Sequence, residues 1–206
     1  MKTLASVFDG PLTRFIEPVS RNELNQRLTT GTATGVAVIC CSEMCYVNSL
    51  FPEDPKLPIF TWQNLGGCVN DSGGLEDLIA EKKISDVIVL GHYGCEIIEV
   101  GLRSDPQCDV PAKKIYQEVA RRTSPTKEAM KERYGDKFDK HIFNRAVEDF
   151  VLRELASLLK LPAVYNAAEG GHLRVHAWIN RDDSMENASY DPKTRTFWVL
   201  PDDDKH

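Results

Sequence analysis

One short segment constrains the fold of this chain more than any other, because an apolar run leads directly into two soft metal ligands. It is Val87-Ile-Val-Leu-Gly-His-Tyr-Gly-Cys95, and its β-branched residues favour a buried strand. The strand would end at His92, and Cys95 follows three residues later. Imidazole and thiolate are donors that zinc prefers. The segment therefore predicts a strand that delivers two ligands to a zinc ion.

A second apolar run, Gly35-Val-Ala-Val-Ile-Cys-Cys41, also ends in cysteine. Two adjacent parallel strands would bring Cys41 beside His92 and Cys95, and three protein ligands leave a fourth zinc position open for water. Cys40 points to the opposite face of the strand, which favours a core position. The alternative is that Cys41 and Cys95 are ordinary core residues and that His92 is a buried polar neighbour with its hydrogen bonds satisfied. Three such residues at two strand ends favour the metal site.

The order of the predicted elements indicates an α/β fold. Ser20 and Glu23 form a capping pattern at the start of a predicted helix over residues 20–28. Because strands and helices alternate, we expect a mainly parallel β-sheet core flanked by helices, with a C-terminal edge strand. Strands are predicted over residues 35–41, 58–62, 86–91, 173–179 and 196–200, and a further helix over residues 72–83.

All 206 residues are predicted to form a single domain. An N-terminal helical arm is expected over about residues 1–34. A charged helical excursion is expected over about residues 110–161. Pro125, Gly135 and Pro162 are expected to interrupt or end its helices. One helix of the excursion has an apolar face that would cover the sheet or a partner subunit. That face consists of Val147, Phe150, Val151, Leu155, Leu158 and Leu159.

The composition of the chain limits the kinds of molecule that we expect it to bind. A formal net charge of −6, no basic stripe and the acidic segment Asp202-Asp-Asp204 argue against nucleic acid. The apolar runs are of strand length, which argues against a membrane. Six cysteines clustered at strand ends are typical of reduced thiols and metal ligands, so we expect a cytoplasmic protein. The remaining partner class is a small-molecule substrate.

The paired motifs resemble the β-class carbonic anhydrases, whose signature is C-x-D-x-R at one strand end and H-x-x-C about fifty residues later. Here 50 residues separate Cys41 from His92, and His92-Tyr-Gly-Cys95 matches the second half. The segment Val175-His-Ala-Trp178 also resembles the family's V-H-G-W. The similarity covers roughly residues 35–200.

The resemblance implies one zinc ion per subunit, held by Cys41, His92 and Cys95. It also implies a homodimer or a higher homo-oligomer. In that family, zinc-bound hydroxide attacks carbon dioxide to give bicarbonate. The arginine of C-x-D-x-R pairs with the aspartate, which keeps that carboxylate off the metal and lets it accept a hydrogen bond from the zinc-bound water.

The chain departs from the family at this dyad, because it has Cys41-Ser-Glu-Met-Cys45. Glu43 replaces the aspartate, and it could reach the zinc, stay protonated in a drier pocket, or act catalytically by accepting the water proton or orienting hydroxide. Cys45 replaces the arginine, and it could line the pocket or become a fourth ligand of a closed Cys3His site.

Two further residues near the predicted site also depart from the family. Gln63 stands where the family usually has arginine, and Glu96 stands where glycine commonly follows the second cysteine. We expect Gln63 and Gly94 to line the pocket. The simpler interpretations are that Gln63 is a strand-end residue bonded to backbone and that Glu96 is solvated in the first turn of a helix.

We therefore expect a zinc lyase that hydrates carbon dioxide reversibly. One alternative is a hydrolase of an analogue such as carbonyl sulfide or carbon disulfide. The other is a zinc-binding homologue without carbonic anhydrase activity, whose site is closed or repurposed, as loss of both dyad residues suggests. The sequence assigns no role to Cys40, Cys68 or Cys108.

Overall fold

Six strands form the sheet at the centre of the fold. The computed structural model describes residues 11–52, 55–103, 113–181 and 186–200. The first four strands in the chain pair in parallel, and the last two pairings are antiparallel. The strands are β1 (Val36–Cys41), β2 (Ile59–Asn64), β3 (Asp86–His92), β4 (Arg174–Arg181), β5 (Glu186–Asp191) and β6 (Thr196–Val199), and their order across the sheet is β2-β1-β3-β4-β5-β6. The predicted mainly parallel sheet and its C-terminal edge strand are confirmed.

Helices flank this sheet. The predicted helix cap is present, because the Ser20 hydroxyl accepts a hydrogen bond from the Glu23 N–H at 3.0 Å. The helices are α1 (Arg21–Thr30), α2 (Leu75–Ala80), α3 (Glu96–Arg103), α4 (Lys113–Tyr134), α5 (Lys140–Leu158) and α6 (Pro162–Glu169), with short 3-10 helices at Pro11–Phe15, Val47–Leu50 and Val69–Asp71. None of the described helices is long and apolar enough to cross a membrane.

Two boundary predictions were wrong. The helix predicted over residues 72–83 is shorter, because Gly74 has a left-handed backbone (φ +81°) just before α2 and Lys82 has φ +54° just after it. Pro125 lies inside α4 and does not end it. The packing of α4 on α3 and α5 offsets the backbone hydrogen bond that proline cannot donate. Gly135 and Pro162 do mark helix boundaries.

The core lies where α5 packs on β3 and β4. All residues of β1 and β3 are buried, as expected for the central strands of a parallel sheet. The predicted apolar face of α5 covers this sheet, and its members from Val147 to Leu159 are buried. The approach is close at Gly91, where an added Cβ would lie 2.5 Å from Val151 Cγ2. This packing fixes the end of β3, which carries His92.

Candidate metal centre

The predicted ligands converge at the carboxyl ends of two neighbouring strands. β1 ends at Cys41 and β3 ends at His92, and the two strands are parallel with Cys40 opposite Leu90. Cys95 follows after a turn in which Gly94 has φ +74°, a conformation that glycine adopts without a steric penalty. The donor atoms of Cys41, His92 and Cys95, together with a carboxylate oxygen of Glu43, all lie within 4.8 Å of one another.

Two distances between these donors match those of a tetrahedral zinc site. The Cys95 and Cys41 Sγ atoms are 3.7 Å apart, and His92 Nε2 is 3.2 Å from Glu43 Oε2. Zinc–sulfur bonds of about 2.3 Å at tetrahedral angles place two sulfurs about 3.8 Å apart, and zinc–nitrogen and zinc–oxygen bonds give about 3.3 Å. Two thiols, an imidazole and a carboxylate are also the donor types that zinc binds. The residues present therefore fit the metal.

The charge of the site is concentrated on Cys41. The Cys95 thiol donates a hydrogen bond to the Cys41 sulfur, which lowers the pKa of Cys41 although burial opposes ionisation. The same shared proton raises the pKa of Cys95, and burial adds to that rise. The hydrogen bond therefore favours a thiolate at Cys41 over one at Cys95, which prepares the pair for a cation.

Glu43 lies two residues beyond β1, on a turn closed by a hydrogen bond from the Met44 N–H to the Cys41 carbonyl. Its side chain is 28% exposed, whereas Cys41, His92 and Cys95 are buried. Glu43 Oε2 accepts from the Glu96 N–H at 3.1 Å, and Oε1 accepts from the Ile97 N–H at 3.2 Å. Burial and the neighbouring Cys41 thiolate raise the pKa of Glu43.

Comparison with known proteins gives one consistent result. A sequence model of the carbonic anhydrase family matches residues 36–185, which include all four donors. The chain belongs to the β-carbonic anhydrase family. It is 24% identical to a carbonic anhydrase of Synechocystis sp. over 202 residues, which cover 90% of this chain and 73% of that protein.

Solved structures of β-carbonic anhydrases share the fold. The structure of the β-carbonic anhydrase CcaA superposes with a TM-score of 0.71 at 20% identity, and the match covers 86% of this chain and 89% of that one. A structure from a study of two tetrameric β-carbonic anhydrases of the filamentous ascomycete Sordaria macrospora gives a TM-score of 0.63 at 15% identity, and the match covers 75% of this chain and 79% of that one.

The two residues that replace the family's aspartate–arginine dyad, Glu43 and Cys45, do not lie together at the donor group. Cys45 is exposed and lies outside the four-residue donor group, so the structure brings Glu43 and not Cys45 to the other ligands. Gln63 is exposed at the end of β2, and its Nε2 donates to the Met44 carbonyl at 2.8 Å. This is the simpler of the two roles expected for Gln63, and it supports the turn that carries Glu43.

The remaining described thiols of this family member lie outside the donor group. Cys40 and Cys68 are buried, and burial raises the pKa of Cys40 to about 12 and that of Cys68 to about 11. Both are therefore protonated at neutral pH, as expected for core thiols. Cys108 lies outside the described residues.

Sequence reasoning missed two sets of contacts at this site. The first is the pair of backbone N–H groups at Glu96 and Ile97. The start of a helix directly after Cys95 could have indicated them, since such a helix has unpaired N–H groups. The second is buried Asn180 on β4, which accepts from the Tyr46 hydroxyl through Oδ1 at 3.0 Å and from the Tyr93 N–H through its carbonyl at 3.0 Å. Asn180 thereby links the turns after β1 and β3, a contact that depends on tertiary structure.

Proposed function

We propose that this chain binds one zinc ion per subunit through Cys41, His92 and Cys95, and that it catalyses the reversible hydration of carbon dioxide to bicarbonate. The observation that carries the proposal is the convergence of two buried thiols and a buried imidazole at adjacent strand ends, in a chain of the carbonic anhydrase family. The 3.7 Å separation of the two sulfurs fits a shared metal ion.

The roles of the residues follow from their positions. When bound, zinc supplies a nucleophile near neutral pH, because it lowers the pKa of a coordinated water molecule. Cys41, His92 and Cys95 would hold the ion. Glu43 Oε2, which lies 3.2 Å from His92 Nε2, would accept a proton beside the fourth position or orient the attacking group. Cys45, which is exposed, would contribute no ligand.

The competing proposal is a zinc protein without hydration activity. It is favoured by one observation, which is that Glu43 already completes a group of four donors, with Oε2 3.2 Å from His92 Nε2. If Glu43 occupied the fourth position permanently, no position would remain for water. Carbonyl sulfide and carbon disulfide stay alternative substrates, since both are small linear electrophiles.

The deciding experiment measures metal content and hydration on the same sample. We expect close to one zinc per chain by mass spectrometry of the metal, and stopped-flow hydration of carbon dioxide well above the buffer rate at neutral and alkaline pH. Full zinc occupancy without hydration at either pH would refute the enzymatic proposal and support the closed site.

A matched pair of variants tests the ligand assignment. Cys41→Ala should lose most of its zinc to a chelator, whereas Cys40→Ala should retain it. The two thiols are adjacent and equally buried, but only Cys41 lies in the donor group. Equal zinc retention by the two variants would exclude Cys41 as a ligand.

The subunit composition is also a proposal. Tetrameric assembly is stated for the β-carbonic anhydrases of Sordaria macrospora, whose fold this chain shares. We propose a homodimer or a higher homo-oligomer, which light scattering during size-exclusion chromatography would detect. A monomer at micromolar concentration would refute it.

A further inference from the structure

We propose that the amino terminus of α3 holds the Glu43 carboxylate in place and so supplies the positive partner that the family's arginine would provide at the position of Cys45. The proposal rests on the function proposed above. Its basis is a pair of hydrogen bonds, one to each carboxylate oxygen. The Ile97 N–H donates to Oε1 at 3.2 Å and the Glu96 N–H donates to Oε2 at 3.1 Å.

These two N–H groups are available because they belong to the first turn of a helix. The first hydrogen bond within α3 runs from the Glu99 N–H to the Cys95 carbonyl, so Glu96 and Ile97 have no carbonyl partner in the helix itself. Unpaired N–H groups at this end carry a partial positive charge, which favours a carboxylate. Glu43 therefore meets two donors in a forked arrangement comparable to that of a guanidinium group.

The residue that precedes this helix covers only one of the N–H groups in its first turn. The Cys95 sulfur lies 3.7 Å from Cys41 Sγ and accepts a hydrogen bond from the Ile98 N–H, so the N–H groups of Glu96 and Ile97 need another acceptor. Glu43 accepts from both of these N–H groups, from a position 53 residues before Glu96. The same contact supports the carboxylate although Cys45, which replaces the family's arginine, is exposed and lies outside the donor group.

The length of the Glu43 side chain connects the helix to the metal centre. Its carboxylate reaches both α3 amides while Oε2 stays 3.2 Å from His92 Nε2. An aspartate on the same turn would be one methylene group shorter, and it could not make both sets of contacts without a backbone shift. We therefore assign the first turn of α3 a positioning role, which acts on the site through Glu43.

Amide hydrogen exchange of the full chain, followed by NMR, tests this contact. In Glu43→Ala the protection factors of the Glu96 and Ile97 amides should fall about fivefold, the effect of removing a helix cap. In Glu43→Gln only one of the two amides should lose protection, because the amide side chain keeps one acceptor oxygen. The matched control is Glu96→Gln, which removes an exposed charge from the same helix end and should change neither factor beyond twofold.

The exchange is measured with zinc bound and after its removal by a chelator, so the result does not depend on activity. Unchanged protection of both amides in Glu43→Ala would overturn the proposal, even if the parent protein hydrates carbon dioxide. A loss of protection in a protein without hydration would instead refute the proposed function and leave the helix contact established.

A second measurement separates positioning from mere structural support. Glu43→Asp should lower turnover at least tenfold at unchanged zinc content, and adding Cys45→Arg should restore turnover while the two α3 amides stay unprotected. Two outcomes would contradict the idea that the helix end takes the place of the arginine. One is that turnover does not recover, and the other is that amide protection recovers together with turnover.

Discussion

Gly91 is the position at which the packing behind the metal centre can be tested most directly. Replacement by alanine would place a Cβ 2.5 Å from Val151 Cγ2 and 3.0 Å from Ile179 Cδ1. Both neighbours are fully buried or nearly so, and neither side chain has a flexible end that can swing into solvent. Overpacking of this kind costs about 1–3 kcal/mol, so we expect Gly91→Ala to lower the free energy of unfolding by roughly 2 kcal/mol.

Urea denaturation at a fixed protein concentration measures this loss. With a denaturant dependence of about 2 kcal/mol per molar, the midpoint should fall by about 1 M. The matched control is Gly73→Ala, where an added Cβ has no atom within 4 Å and no left-handed backbone is required. That variant should be unchanged or up to about 1 kcal/mol more stable, because alanine restricts the unfolded chain.

A double variant identifies the atoms responsible. Adding Val151→Ala removes the methyl group nearest to the new Cβ, so the two substitutions together should cost less than the sum of their separate effects by about 1 kcal/mol. If Gly91→Ala unfolds at the same urea concentration as the parent protein, or if the two effects are additive, the close packing of α5 on β3 is refuted.

Three further predictions concern two residues on the turn after β1 and a buried carboxylate. Cys45→Ser should retain zinc against a chelator as well as the parent protein does, because Cys45 is exposed and outside the donor group; faster zinc loss would make it a ligand. Glu43→Ala should lower hydration turnover about a hundredfold at unchanged metal content, and an unaltered rate would remove Glu43 from the mechanism. Asp86 is fully buried, and although burial opposes ionisation, hydrogen bonds from Arg174 and His176 hold its pKa below the usual 3.8. This group stabilises the fold above about pH 4 and loses that contribution as the pH falls, so Asp86→Asn should cost roughly 3 kcal/mol at pH 7 and less under acid conditions, as followed by urea denaturation across pH.

The elements that sequence predicted correctly are those whose own residues determine them. β1 and β3 are continuous apolar runs, and their burial follows from that pattern alone. β5, with the sequence Glu-Asn-Ala-Ser-Tyr-Asp, has too few apolar residues to indicate a strand and is formed by pairing with β4 and β6. α6 was also missed, because Pro162 was interpreted only as the end of a helical region. Proline is also common in the first turn of a helix, where it stands in α6.

The same distinction applies to the metal centre. Strand ends place Cys41 and His92, so sequence could predict that these residues and Cys95 would meet. Spacing could not decide between Glu43 and Cys45, because both follow Cys41 on one short turn. The choice depends on α3, whose first two N–H groups attract the carboxylate, and on Gln63, which bonds to the carbonyl between the two candidates.

Charge determines what Glu43 does at this site. Zinc with two thiolates and a neutral imidazole is neutral overall, so a carboxylate ligand would make the centre anionic and oppose ionisation of bound water. Both oxygens of Glu43 are engaged by α3, and a shift of the carboxylate onto the ion would weaken at least one of these hydrogen bonds. Loss of a helix cap costs about 1 kcal/mol, or about a fivefold change in population. If zinc binds as proposed, the α3 hydrogen bonds would therefore favour an open fourth position by only about fivefold, in addition to the effect of charge.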